Sequence, residues 1–205
     1  MRVIKSALAL APTIFGQRSG TEEPRHSVIA DLGPVEIRAY APRLAASVTV
    51  TGDEISARSA GFRRLAAFIF GANTTRTGIA MTAPVVQSGA TIAMTAPVVQ
   101  SAAQPGSWTI TFYMPSGYTL ATLPKPTDPG ITVQEVPGDT LAVHRFTGAR
   151  GAAAIANATT FLLGQLSASA WEPAGDAVSW FYDPPWTLPW TRRNEVAVPV
   201  KPRQR

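Results

Sequence analysis

The sequence predicts an α+β domain built from two similar ββαββ halves. Three observations carry that expectation. Short runs alternate apolar and polar residues at period two and then give way to the 3.6-residue period of a helix. That succession occurs twice along the chain. The strand pairs opening the two halves, residues 35–52 and 131–148, are both 18 residues long and both end in Thr-Gly at the start of a helix.

In the first half, Val35-Glu36-Ile37-Arg38-Ala39-Tyr40 alternates, Pro42 interrupts, and Ala46, Val48 and Val50 form an apolar row against Ser47, Thr49 and Thr51. Residues 53–70 read as a helix whose buried face carries Ile55, Phe62, Leu65, Ala66 and Ile69, with Asp53 or Thr51 as N-cap and Gly71 as the stop. Arg63 and Arg64 fall on the opposite side. Strands are expected within residues 79–87 and 108–114, and a Pro-rich connector, residues 123–130, leads to the second half. There the strands are 131–136 and 141–146, the helix spans 148–169 with Ile155, Thr159, Leu162, Leu163 and Leu166 buried, and strands at 177–182 and 195–200 close the unit. Two such halves imply helices on one side of a curved, largely antiparallel sheet, with a ligand cleft between them.

A chain of 205 residues with 45% hydrophobic content buries enough surface for a substantial core. With no cysteine, disulfides, thiolate metal sites, cysteine nucleophiles and covalent haem attachment through C-x-x-C-H are all excluded. The net charge of +5 is a property of the ends. Residues 1–25 carry +2 and residues 192–205 carry +4, leaving nine basic against ten acidic residues between them. A phosphate-tracking surface needs its basic residues clustered on the folded body, so no nucleic-acid partner is expected. Residues 1–27 form an N-terminal extension, residues 28–200 the domain and residues 201–205 a basic tail. The extension begins with a charged start and a weakly apolar run too short to span a bilayer, which reads as a frayed or interfacial helix or a poor signal peptide. A cytoplasmic location is expected ahead of a periplasmic or membrane-associated one.

The segment Ile79-Ala80-Met81-Thr82-Ala83-Pro84-Val85-Val86-Gln87-Ser88 recurs unchanged as residues 92–101. Either Ser88-Gly89-Ala90-Thr91 turns the first copy onto the second as a hairpin, or one copy is a tolerated tandem insertion.

Val35-Glu36-Ile37-Arg38-Ala39-Tyr40, Gly61-Phe62 through Gly71-Ala72-Asn73, Ile79-Ala80-Met81-Thr82-Ala83-Pro84-Val85, Phe112-Tyr113-Met114-Pro115, Tyr182-Asp183-Pro184-Pro185 and Arg192-Arg193-Asn194-Glu195-Val196 follow one another in this order. Together they resemble the SOUL haem-binding family over residues 28–200, in a bacterial member, whose fold is a distorted antiparallel β-barrel-like sheet with two main helices. The resemblance implies the duplicated fold read above and a non-covalent, b-type haem or related porphyrin as ligand, held by a carrier, buffer or sensor. It also implies one Met-Thr-x-Pro segment at the spacing of the first copy, making the second copy the insertion.

A haem site needs apolar surface for the porphyrin faces, cations for the propionates and, optionally, an axial donor. Phe62, Leu65 and Phe68 are candidates for the first role and Arg58, Arg63 and Arg64 for the second. Family members that ligate iron through histidine carry it just before the Tyr of the E-I-R-x-Y stretch, where this chain has Ala39. Of its two histidines, His26 precedes the first strand, and His144 shares an alternating row with Ala142 and Phe146 and is expected to face inward as the candidate axial ligand. Met81 and Met94 fit strand packing better than ligation. Arg192-Arg193-Asn194-Glu195 reads best as a clasp pinning the last strand. No sequence motif for catalysis is present. The rival readings are a GyrI-like effector-binding or hydrolase-like domain using the central cleft, with a buried Glu135 or Glu172 lining it, and an interaction module that docks a partner on the duplicated segment.

Overall fold

The break at Pro42 separates two strands that belong to different sheet units. The computed structural model describes residues 21–89, 106–183 and 187–204. In chain order its elements are β1 (His26–Asp31), β2 (Val35–Tyr40), β3 (Arg43–Thr51), α1 (Glu54–Ile69), β4 (Val85–Gly89), β5 (Ser107–Tyr113), β6 (Ile131–Val136), β7 (Asp139–Phe146), α2 (Ala152–Ser167), β8 (Trp171–Pro173), β9 (Val178–Phe181), a 3-10 turn at Pro189–Thr191, and β10 (Asn194–Pro202). They form two compact units, one made of the chain up to Ala41 together with everything from Gly138 onward, the other of Pro42–Pro137.

The first unit is an antiparallel sheet in the order β1-β2-β7-β10-β9, with the short β8 on the far end of β10. Helix α2 covers one face. Its buried stripe, Ala158, Leu162 and Leu166, packs on Val35, Ile37, Ala142, Val196, Val198 and Val200. The second unit has the order β4-β5-β3-β6, covered by α1. There Leu65, Phe68 and Ile69 pack on Ala46, Val48, Ile110, Phe112 and Ile131. Each fully buried aliphatic or aromatic side chain contributes about 1.5–3 kcal/mol relative to exposure, so these two stripes are what hold each helix on its sheet.

The units share a plan, one helix on an antiparallel sheet, but differ in strands, the first holding β1, β2, β7, β8, β9 and β10 and the second β3, β4, β5 and β6. Strand β2 pairs with β7 so that Val35 faces His144, and β6 pairs with β3 so that Ile131 faces Val48. Each opening strand therefore completes the sheet of the other sequence half. The two Thr-Gly steps also correspond, since Gly52 and Gly148 both adopt positive φ, 140° and 94°, a conformation that favours glycine over any residue with a Cβ.

Local signals hold where the physics is local. Asp53 caps α1, accepting hydrogen bonds from the Ile55 and Ser56 amides at 3.0 and 2.9 Å. Other expectations need correcting. Ile55 is 61% exposed rather than buried, because the stripe of α1 that meets the sheet runs through Ala57, Gly61, Leu65 and Phe68. Leu163 is exposed for the same reason, with Leu162 taking the buried position. The expected strand at 79–87 is paired only over Val85–Gly89. Before it, the Ile79 amide bonds the Ile69 carbonyl at 2.7 Å and the Thr82 hydroxyl bonds the Tyr113 carbonyl, tying the chain down without a ladder. The N-terminal run, the second copy at 92–101, Ala90 and Thr91 of the connecting turn, Met94, Pro184 and Pro185 lie outside the described residues.

Gly61 sets how closely α1 approaches its sheet. A Cβ built there would lie 2.4 Å from Ile110 Cγ1, and overpacking of this kind costs about 1–3 kcal/mol. Helix propensity returns about 1 kcal/mol for Gly→Ala. Gly61→Ala is therefore expected to lose up to about 2 kcal/mol in urea unfolding, with a smaller loss in an Ile110→Ala background.

Candidate functional site

Three of the segments singled out in the sequence converge on one buried polar cluster in the first unit. Period-two alternation in β2 turns Val35 and Ile37 toward α2 and sends Glu36, Arg38 and Tyr40 to the other face. On that face Glu195 of β10 is completely buried and Arg38 is 6% exposed. Arg38 reaches the Glu195 carboxylate with Nη1 at 3.1 Å and Nη2 at 3.4 Å, and its Nε donates to Glu36 at 2.6 Å. Tyr182 donates its hydroxyl to the same carboxylate at 2.7 Å. Arg193 donates from Nε at 3.0 Å, stacks 3.7 Å above the Tyr182 ring and pairs with Glu23 at 3.0 Å.

Burial by itself would raise the Glu195 pKa, but the charges of Arg38 and Arg193 and the Tyr182 hydrogen bond outweigh it and hold the carboxyl below its ordinary value. The same burial, with the negative charge of Glu195 alongside, pushes the Tyr182 phenol far above its usual range. With both oxygens saturated by donors, Glu195 is a strut with no lone pair aimed at a substrate. The clasp expected of Arg192-Arg193-Asn194-Glu195 is thus centred on Arg193 and Glu195.

Removing one member of a buried ion pair strands the others, at about 3–5 kcal/mol. Glu195→Ala is expected to lose stability in that range. A carboxylate whose folded pKa is lowered stabilises fully above its unfolded value of 4.5 and loses that contribution as pH falls through the folded value. Acid unfolding curves of Glu195→Gln should lack this segment of the pH dependence.

The second unit carries an open hollow on the outer side of α1. It is built from the loop that follows the helix. Asn73, 2% exposed, donates to the carbonyls of Phe68 at 3.1 Å and Thr77 at 2.7 Å, and its Oδ1 accepts from the Thr75 amide and hydroxyl. That loop is tied to the Pro-rich connector, Thr74 amide to Lys125 carbonyl at 2.9 Å and Thr127 hydroxyl to Ala72 carbonyl at 2.9 Å. The connector thereby sets Asp128 beside α1, where Arg64 grips it with Nε and Nη2, both at 2.7 Å. Those bonds, with the Gly130 amide, hold the Asp128 pKa down to about 2. The result is a depression of about 340 Å³ lined by Ala60, Arg63, Arg64, Ala67, Phe68, Ala72 and Asp128, at the small end of ligand-binding cavities.

Of the residues expected to hold a porphyrin, Arg63, Arg64 and Phe68 line this hollow. Arg63 is exposed and makes no ion pair among the described residues. Arg58 is committed elsewhere, to Glu54 at 2.7 Å and to Gln87. Phe62 is half-buried edge-to-face against Phe112, with ring centroids 5.4 Å apart, and Leu65 is fully buried in the core. His144 sits in the first unit, on the α2 side of the sheet as its alternation requires, but half-exposed at the margin of the core. Its Nδ1 bonds the Pro34 carbonyl at 2.9 Å and its ring lies 4.6 Å from that of Phe161. That bond makes Nδ1 the protonated nitrogen and leaves the lone pair on Nε2.

His26 is exposed and its ring lies 4.9 Å from that of Tyr40. Glu135 is exposed and Glu172 pairs with Lys201 at 3.2 Å, so neither is the buried glutamate that a ligand cleft would supply. Among the described residues no three His, Asp or Glu side chains group as a metal site, and no helix is long and apolar enough to cross a membrane. Ala60, Ala67, Ala72 and Asp128 went unread in the sequence. The alanines seven residues apart around Arg63 and Arg64 were the available signal; Asp128 stood in a segment legible only as a linker.

The fold, two helices on antiparallel sheet, is shared with solved structures of low sequence identity. The C-terminal domain of EcmrR superposes with a TM-score of 0.58 at 12% identity, over 82% of this chain and 98% of that one. A conserved protein from Listeria innocua gives 0.58 at 9% identity, over 89% and 94%, and a hydrolase from the same organism 0.57 at 10%, over 82% and 91%. No protein of curated function matches the sequence. The model of the SOUL heme-binding protein family matches residues 21–199, and the chain belongs to that family.

Proposed function

We propose that this protein binds a tetrapyrrole, haem held without a covalent bond or a related porphyrin, and serves as its carrier, buffer or sensor. The observation that carries the reading is the hollow on α1, where Ala60, Ala67 and Ala72 offer an apolar surface beside the buried Phe68 and Arg63 stands at the edge with its charge uncommitted among the described residues. An apolar ring system with peripheral carboxylates meets both features at once: the ring removes apolar surface from water and a carboxylate accepts the guanidinium fork. Family membership supports the same ligand class. Phe62 and Leu65 support the hollow from beneath through the core, and Arg58 braces α1 through Glu54.

His144, the axial ligand expected from the sequence, belongs to the first unit and is not among the residues that line the hollow, so the reading rests on porphyrin faces and carboxylates rather than on ligation by this residue. Fold likeness to a hydrolase favours a second reading, in which the chain takes a different small apolar molecule.

Titration with haemin is expected to shift the Soret band and saturate near one equivalent. Ala67→Glu, which sets a carboxylate on the apolar floor, should weaken binding by at least about tenfold, and Arg63→Ala by roughly threefold to tenfold. A wild-type protein that leaves the haemin spectrum unchanged transfers the hollow to the second reading. Replacement of His144 by alanine separates the binding modes: capture by faces and carboxylates leaves the Soret maximum in place, whereas axial ligation moves it.

A further inference from the structure

Two arginines border the hollow, and they are not equivalent. Arg64 makes the two-pronged contact of a guanidinium with a carboxylate, Nε and Nη2 to the two oxygens of Asp128, both at 2.7 Å. Asp128 is itself steadied by the Gly130 amide at 2.9 Å. Arg63, one residue earlier, is exposed and has no such partner among the described residues. Geometrically, the carboxylate of Asp128 occupies the position on Arg64 that a second ligand carboxylate would need. Electrostatically, it cancels one of the two positive charges at the rim.

We infer that Asp128 is a specificity-determining residue: an internal competitor that leaves the hollow a single carboxylate contact and withholds the extra affinity a second would bring. The inference rests on the porphyrin reading of the same hollow and names the charge of its ligand. An apolar body with a single carboxylate satisfies Arg63 and leaves the Arg64–Asp128 pair intact. For a dicarboxylate, the second group must either displace Asp128 or stay in water, and neither outcome gains much.

Asp128→Asn tests this with little disturbance to the loop, because the amide oxygen still accepts from Gly130 while the charge is gone. The probes are iron-free protoporphyrin with both propionates free, its monomethyl ester and its dimethyl ester, followed by fluorescence so that iron ligation plays no part. In the wild-type protein, the free acid and the monoester are expected to bind within about twofold of each other, and the diester more weakly, since only one charged contact is open. In Asp128→Asn the free acid should tighten by roughly threefold to tenfold and the monoester should change little. Arg64→Ala completes the cycle: combined with Asp128→Asn it removes the gain.

If the free acid already binds the wild type more than about tenfold better than the monoester, or if Asp128→Asn tightens neither, Asp128 is no competitor and the inference falls while the porphyrin site stands. If none of the three porphyrins binds the wild type, the site assignment itself fails, and the inference with it.

Discussion

A carboxylate with no contact with water governs the architecture of the first unit. Glu195 is affordable at zero exposure only because Arg38, Arg193 and Tyr182 deliver their donors to it together. Arg38 and Glu195 stand 157 positions apart, so this pair forms only when the ends of the domain meet, while Glu36 and Arg193 lie two residues from Arg38 and Glu195 respectively. Glu23 extends the chain of charges to the segment ahead of β1, and that short stretch is thereby part of the folded body rather than a loose extension. The requirement is unforgiving: β2, β9 and β10 have to arrive in register, or a buried charge is left alone.

What could be read from the sequence follows from how local each cause is. The Asp53 cap, the Thr-Gly turns and the alternation of β2, β3, β5 and β7 depend on a few neighbouring residues, and they were legible. Equal lengths of residues 35–52 and 131–148 showed that two similar pieces exist, but not which strand pairs with which, because periodicity is blind to partners. The position of Ile55 depended on a contact between Gly61 and Ile110, and a helical wheel carries no term for a glycine that must face its sheet. The hollow depended on Asn73 fastening one loop to another. Its acidic wall, Asp128, belongs to a stretch whose prolines and glycine identify only a connector.

The two helices are furnished unequally. Helix α2, Ala152–Ser167, contains no charged residue and no side-chain cap, so it offers nothing to a ligand carboxylate. Helix α1 carries Arg58, Arg63 and Arg64 and an acidic first turn. On the faces away from the helices the contrast continues. The first unit buries its ion network there, while the second lays cross-strand hydroxyl pairs, Ser47 with Thr111 at 2.8 Å and Thr49 with Thr109 at 3.3 Å. The unit that spends its charges on internal order differs from the one that leaves a cation available at its surface.

The crossing of the opening strands bears on how the chain can be divided. A cut in the connector before β6 would give one fragment holding β1 to β5 and another holding β6 to β10. The first would retain β3, β4 and β5 without their edge strand, and would carry β1 and β2 with no β7 to receive them. The second would have the mirror deficit. Neither fragment contains a finished sheet, so the molecule cannot mature one half at a time during synthesis. The β2 ladder waits for β7, and that wait is the entropic cost of closing a long loop before any contact rewards it. Two severed fragments would make each other's missing edge, and their mutual rescue is written into the strand order.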